Sequence, residues 1–152
     1  MDSGHVVSAS GVVEAPPAVI FELIADPSLQ PEWDGNENLA EAPPGQRVHQ
    51  RGDVFVMTLT RDGAVRENHV VEFEEGRRIA WCPSEVDEEP AGHLWRWEVE
   101  AIDADHTRVR HTYDWSALTD PNRMARARAT TSESLAASIT RLTALAEEEA
   151  HG

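Results

Sequence analysis

The residues best equipped for chemistry fall in two runs of the C-terminal half. His93, Trp95 and Trp97 alternate with Leu94 and Arg96, and His111, Tyr113 and Trp115 alternate with Thr112 and Asp114. Side chains two apart share one face of an extended segment. Each run therefore presents an aromatic, partly polar face, with Asp103 to His106 as the polar turn between them. Rings whose N–H and O–H groups need partners suit the wall of a ligand cavity, where a few polar groups orient an otherwise apolar guest. They would equally serve a wide aromatic core with their polar atoms paired internally.

The same parity extends the wall to Phe55, Met57 and Leu59, to Glu67, His69, Val71 and Phe73, and to Ile79 and Trp81. Glu67 and His69 stand out, because an acid and a histidine on an apolar face each require a partner. Together with His111 and Tyr113 they are the candidate proton-transfer groups. Such a set could act on a poly-ketone: His or Glu removes a proton, Tyr polarises a carbonyl, and aldol cyclisation with loss of water follows. The plainer alternative makes His69 and His111 satisfied strand histidines.

No metal and no cofactor is expected. The histidines (His5, His49, His69, His93, His106, His111 and His151) show no pair at one-turn spacing, and Cys82 is the lone cysteine. Phosphate loop, dinucleotide fingerprint and nucleophile elbow are all missing from the sequence. Cys82, beside Pro83, reads as a small packing residue. Arg123, Arg126 and Arg128 could hold an anionic group at a cavity mouth or pair with the acidic stretch 85–89. A solvated helix face is the expected role.

Several elements must position these groups. A first strand is expected over 5–14 and two short helices over 16–33, the first opened by Pro16 and Pro17 and the second by Asp26, Pro27 and Ser28. Strands follow at about 38–42, 53–60, 64–73, 77–82, 92–101 and 107–115, with Arg61, Asp62, Gly63 and Glu74, Glu75, Gly76 as turns. A C-terminal helix over 121–147 begins at Asp120 and Pro121 and carries the stripe Leu135, Ile139, Leu142. Thr130 to Glu133 matches a capping box, so that helix restarts or kinks near Thr130. Late Glu147, Glu148 and Glu149 oppose the helix dipole and predict a frayed end.

One domain over 1–152 accommodates this order. The composition of 28 acidic and 13 basic residues, all the latter Arg, gives a net charge of −15. Such a chain repels phosphate and anionic membranes, which argues against nucleic-acid partners and stable membrane insertion. With no apolar run long enough for a span, no signal core at Met1 to His5 and no disulfide pair, a cytoplasmic protein is expected.

Strands in succession, two early helices and a late one predict an α+β helix-grip arrangement, a curved antiparallel sheet wrapped around the C-terminal helix. Several phrases then carry a resemblance: Val13-Glu14-Ala15-Pro16-Pro17, Ile24-Ala25-Asp26-Pro27 with Pro31-Glu32-Trp33, Val71-Glu72-Phe73-Glu74 with Arg77-Arg78-Ile79-Ala80-Trp81, and Thr107-Arg108-Val109 running to Tyr113-Asp114-Trp115. They resemble the START-like, or Bet v 1-like (SRPBCC), superfamily, specifically its bacterial polyketide cyclase/dehydrase-type members. The resemblance implies a cavity for a hydrophobic ligand between sheet and helix, and no shared catalytic motif or cofactor. The leading expectation is binding of a lipid or polyketide-like molecule by Phe55, Met57, Leu59, Val71, Phe73, Trp81, His93, Trp95, Trp97, His111, Tyr113, Trp115, Leu135 and Ile139. One alternative is a polyketide aromatase/cyclase in the same cavity. A second is a regulatory module whose acidic loop and exposed Trp33 dock a protein partner.

Overall fold

The computed structural model describes residues 5–35, 39–60 and 63–151. Seven antiparallel strands form one sheet in the order β1-β7-β6-β5-β4-β3-β2. They are β1 (Val6–Val13), β2 (Leu39–Glu41), β3 (Val54–Leu59), β4 (Val65–Glu74), β5 (Arg78–Glu85), β6 (Leu94–Ala101) and β7 (Thr107–Asp114). The first strand lies beside the last, from Val6 opposite Asp114 to Val13 opposite Thr107. Helices α1 (Pro17–Ala25) and α2 (Gln30–Trp33) carry the chain across one end, and α3 (Pro121–Ala129) and α4 (Ser132–His151) follow the sheet. This is the expected α+β helix-grip fold. Asn38, Arg61 and Asp62, which belong to a predicted strand and turn, lie outside the described residues. No helix among the described residues is long and apolar enough to cross a membrane.

Prolines and caps account for the early helices. Pro17 opens α1, whose Ile20, Phe21, Leu23 and Ile24 are buried, and Asp26 Oδ1 accepts from Ser28 N (3.1 Å) and Oγ (2.8 Å) to start the 3₁₀ turn 27–29. Two carbonyls at the end of α1 would lack helical partners. Gln30 Nε2 donates to Ile24 O and Trp33 Nε1 to Leu23 O (3.0 and 2.8 Å), fastening α2 beneath α1. Trp33 is consequently 3 % exposed, which corrects its expected role as a surface docking residue.

The predicted parity of β4 is overturned by one residue. Pairing runs from Val70 opposite Trp81 directly to Glu72 opposite Ala80, leaving Val71 as a bulge. On the Val65 side of it Arg66, Asn68 and Val70 point inward, and Phe73 does so beyond it. Val71 is on the surface, and Glu67 and His69 occupy the outer face, where His69 Nε2 and Ser84 Oγ are 2.9 Å apart and Glu67 Oε1 accepts from Asp87 N at 3.0 Å. β5 also runs past Pro83, at which it was expected to stop; the ladder with β6 ends at Trp81, leaving room for a residue with no N–H.

The C-terminal helix is two helices. Thr130 is extended, and Thr131 and Ser134 exchange side-chain to backbone hydrogen bonds (both 3.2 Å), a reciprocal cap one residue later than the predicted box. α4 continues to His151, where a frayed end was expected, and lays Leu135, Ile139 and Leu142 against the sheet.

Candidate functional site

Set off from α4 by the extended Thr130, α3 lines one side of a cavity of about 600 Å³. Met57 and Leu59 from β3, Trp81 and Pro83 from β5, and Trp95 and Trp97 from β6 give it apolar walls. His93, His111, Tyr113, Arg66 and Asn68 supply polar groups, and Gln30, Trp33 and Asp34 close the α2 side. Leu118, Asp120, Asn122, Arg123, Arg126, Ala127, Ala129 and Thr130 form the rim and roof.

Register builds the aromatic wall. Trp97 pairs with His111 and Trp95 with Tyr113 across β6 and β7. Their rings stack: Trp97 on His111 at 3.8 Å and 11°, Trp95 on Tyr113 at 4.3 Å and 36°, with Trp33 edge-on to Trp97 at 5.1 Å. His111 Nδ1–H donates to Arg96 O at 3.0 Å, since a carbonyl only accepts, so Nε2 remains an acceptor. Burial pushes the His111 imidazole down to about 3, a neutral ring at physiological pH. His93 is held near 4 by burial and by the positive charges of Arg123 and Arg66, and burial raises the Tyr113 phenol to about 12. Trp97 Nε1 and His93 Nδ1 are buried with no hydrogen-bond partner among the described residues. The carboxamide of Asn68, a residue 5 % exposed, makes no hydrogen bond to any described residue.

Of the residues expected to line a site, Met57, Leu59, Trp81, His93, Trp95, Trp97, His111 and Tyr113 do so. Phe55 is one layer back, edge-on to Trp81 at 5.3 Å, and Phe73 packs on Phe21 at 5.7 Å. Trp115 meets His5 at 4.1 Å and Arg128 outside the cavity, while Leu135 and Ile139 belong to the core beneath α4. Glu67, His69 and Val71 face away from the cavity, because of the bulge. The inward polar groups of β4 are Arg66 and Asn68, which the alternation on either side of Val70 could have revealed only with the bulge known. Arg126 and Arg128 are exposed, as a solvated helix face requires, while Arg123 is partly buried, and Arg123 and Arg126 also line the cavity. Among the described residues no three His, Cys, Asp or Glu side chains gather as metal ligands would. Burial raises the Cys82 thiol, away from nucleophilic use.

Residues 4–147 match the family model described as polyketide cyclase/dehydrase and lipid transport. The chain belongs to this family. An uncharacterised protein of Mycobacterium tuberculosis is 30% identical over an alignment of 121 positions that covers 73% of this chain and 48% of that protein. The chain thus spans about half the length of the curated relatives it matches. A solved structure from Nitrosomonas europaea superposes with a TM-score of 0.72 at 14% identity, covering 98% of both chains. Ginseng major latex-like protein 151 from Panax ginseng gives 0.61 at 15%, covering 97% of both. At these identities the likeness is one of fold, that of the Bet v 1-like architecture. Family and fold together support a domain built to bind hydrophobic ligands.

Proposed function

We propose that this member of the family takes up an apolar, partly oxygenated small molecule in the cavity under α3 and releases it unchanged. One observation carries the reading: Trp97 Nε1 and His93 Nδ1 are buried in the cavity wall without hydrogen-bond partners among the described residues. Leaving a buried polar atom unpaired costs about 1–3 kcal/mol, and a guest bearing oxygen atoms would recover part of it. The volume of about 600 Å³ suits such a guest.

A cyclase in the same cavity needs a base with a pKa near the working pH. His111 at about 3 and His93 at about 4 accept protons poorly, and Glu67 and His69 face outward. These observations favour binding over turnover. Four of the five tryptophans line the cavity, so titration with the neutral dye N-phenyl-1-naphthylamine is expected to quench tryptophan emission saturably, and dodecanol to displace the dye. Absence of saturable quenching with both compounds sinks the binding reading; conversion of a poly-ketone surrogate, abolished in His111→Phe, sinks the restriction to binding.

A further inference from the structure

The cavity gathers charge of the sign that is in the minority in this chain. In a molecule of net charge −15, three arginines line one cavity: Arg66 from β4, and Arg123 and Arg126 from α3 on the opposite wall. Their grouping follows from the ladder. Arg66 stands directly across from Glu85 at the end of β5, and Glu85 Oε2 holds Arg123 Nη2 at 3.2 Å, so Glu85 ties α3 to the strand end beside Arg66. Asp120 also holds Arg123, at 3.5 Å from its Nε. Arg66 and Arg126 have no carboxylate within ion-pair distance among the described residues, although acids outnumber arginines about two to one. The combined field of Arg123 and Arg66 reaches His93 inside the cavity.

Next to this cluster lie neutral donors. Asn68 shares Arg66's face two residues along β4, with its carboxamide unengaged, and the Tyr113 hydroxyl lies on the wall near His93, whose ring is 6.1 Å from the Tyr113 ring. Apolar surface continues inward through Trp95, Trp97 and Met57. We infer that the ligand is an amphipathic carboxylate, its anionic head held by Arg66, Arg123 and Arg126 at the mouth and its apolar body among the tryptophans. The inference rests on the binding reading and names the class of guest. A carboxylate fits better than a phosphate monoester by charge: three lining guanidinium groups, with Asp120 and Glu85 both paired to Arg123, leave one positive charge in excess, which a monoanion matches and a dianion overfills. The remaining lining acid, Asp34, sits at the α2 end and accepts from Leu39 N at 3.0 Å.

Competition against N-phenyl-1-naphthylamine with a matched set, dodecanoate, dodecanol and dodecyl phosphate, tests this at neutral pH and low salt. A charge-assisted hydrogen bond is worth about 1.5–3 kcal/mol, so dodecanoate is expected to bind roughly tenfold or more tightly than dodecanol. Arg66→Gln and Arg126→Gln should each shrink that acid-over-alcohol ratio about threefold or more, and Arg110→Gln, on the exposed face of β7, should leave it alone. An acid no tighter than the alcohol overturns the inference while the binding reading stands. A ratio untouched by both cavity variants overturns the assignment to these arginines, and dodecyl phosphate binding tightest overturns the choice of carboxylate. Failure of all three compounds to displace a bound dye, or failure of the dye to bind, counts against the binding reading itself.

Discussion

At the scale of single residues, His111 couples the cavity wall to pH. Its ring is stacked on Trp97 and tied through Nδ1 to the Arg96 carbonyl, so a second proton would have to enter at Nε2 inside an aromatic wall. The folded ring resists it down to about 3, and the unfolded chain takes it up near the ordinary imidazole value of 6.5. Between those values the unfolded state binds more protons, so stability rises with pH. The His111 contribution is complete above about 6.5 and is lost as pH falls toward 3, at up to about 1.4 kcal/mol per pH unit. His93 adds a similar slope down to about 4. Urea unfolding at a series of pH values should show this dependence, and His111→Gln should remove one proton's share of the slope. An unaltered slope in the variant would mean that the ring is hydrated. This residue was legible in the sequence as part of an aromatic face; its neutrality was not, because it depends on which carbonyl meets Nδ1 and how deeply neighbouring rings cover it.

At the scale of elements, two irregularities decide where the site is. The bulge at Val71 turns Arg66 and Asn68 inward and Glu67 and His69 outward. Strict alternation read from Phe73 backwards gives the opposite faces, since a slip of one residue exchanges the two sides of a strand. No residue near Val71 marks a bulge by its type, so the error lies beyond the reach of period-two reasoning. The break between α3 and α4 was legible, because Thr and Ser at a helix start signal a cap wherever they occur. Its consequence, a cavity lined by α3 with Leu135 and Ile139 outside it, required the packing of both helices against the sheet. The reciprocal Thr131–Ser134 bonds hold α4's first turn. Thr131→Ala is expected to cost about 1 kcal/mol and to lower the melting temperature by roughly 2–4 °C, measured calorimetrically. A melting temperature equal to that of the parent would show that packing of Leu135 alone fixes the start of α4.

At the scale of the molecule, the succession of strands and the wrapping of the sheet around the C-terminal helix followed from the sequence because alternating runs separated by Gly, Pro and Asp turns leave few ways to bury one apolar face. Charge distribution was less legible. A total of −15 describes the outside, and three arginines separated in sequence, at 66, 123 and 126, converge only once β4 and α3 oppose each other. This arrangement gives the effect of salt two signs. Repulsion among 28 carboxylates opposes compaction, and raising sodium chloride from ~10 mM to ~1 M shortens the screening length from about 30 to about 3 Å. The melting temperature should therefore rise with salt. The same screening weakens attraction between a dodecanoate head and the arginines at the mouth, so its affinity should fall while that of dodecanol, which senses no field, holds or strengthens. Chloride is the appropriate anion, because sulfate would strengthen apolar burial and obscure the comparison. Dodecanoate affinity that rises with salt in step with dodecanol would show that the field at the mouth follows the net charge of the whole chain, leaving the local arginines without electrostatic effect.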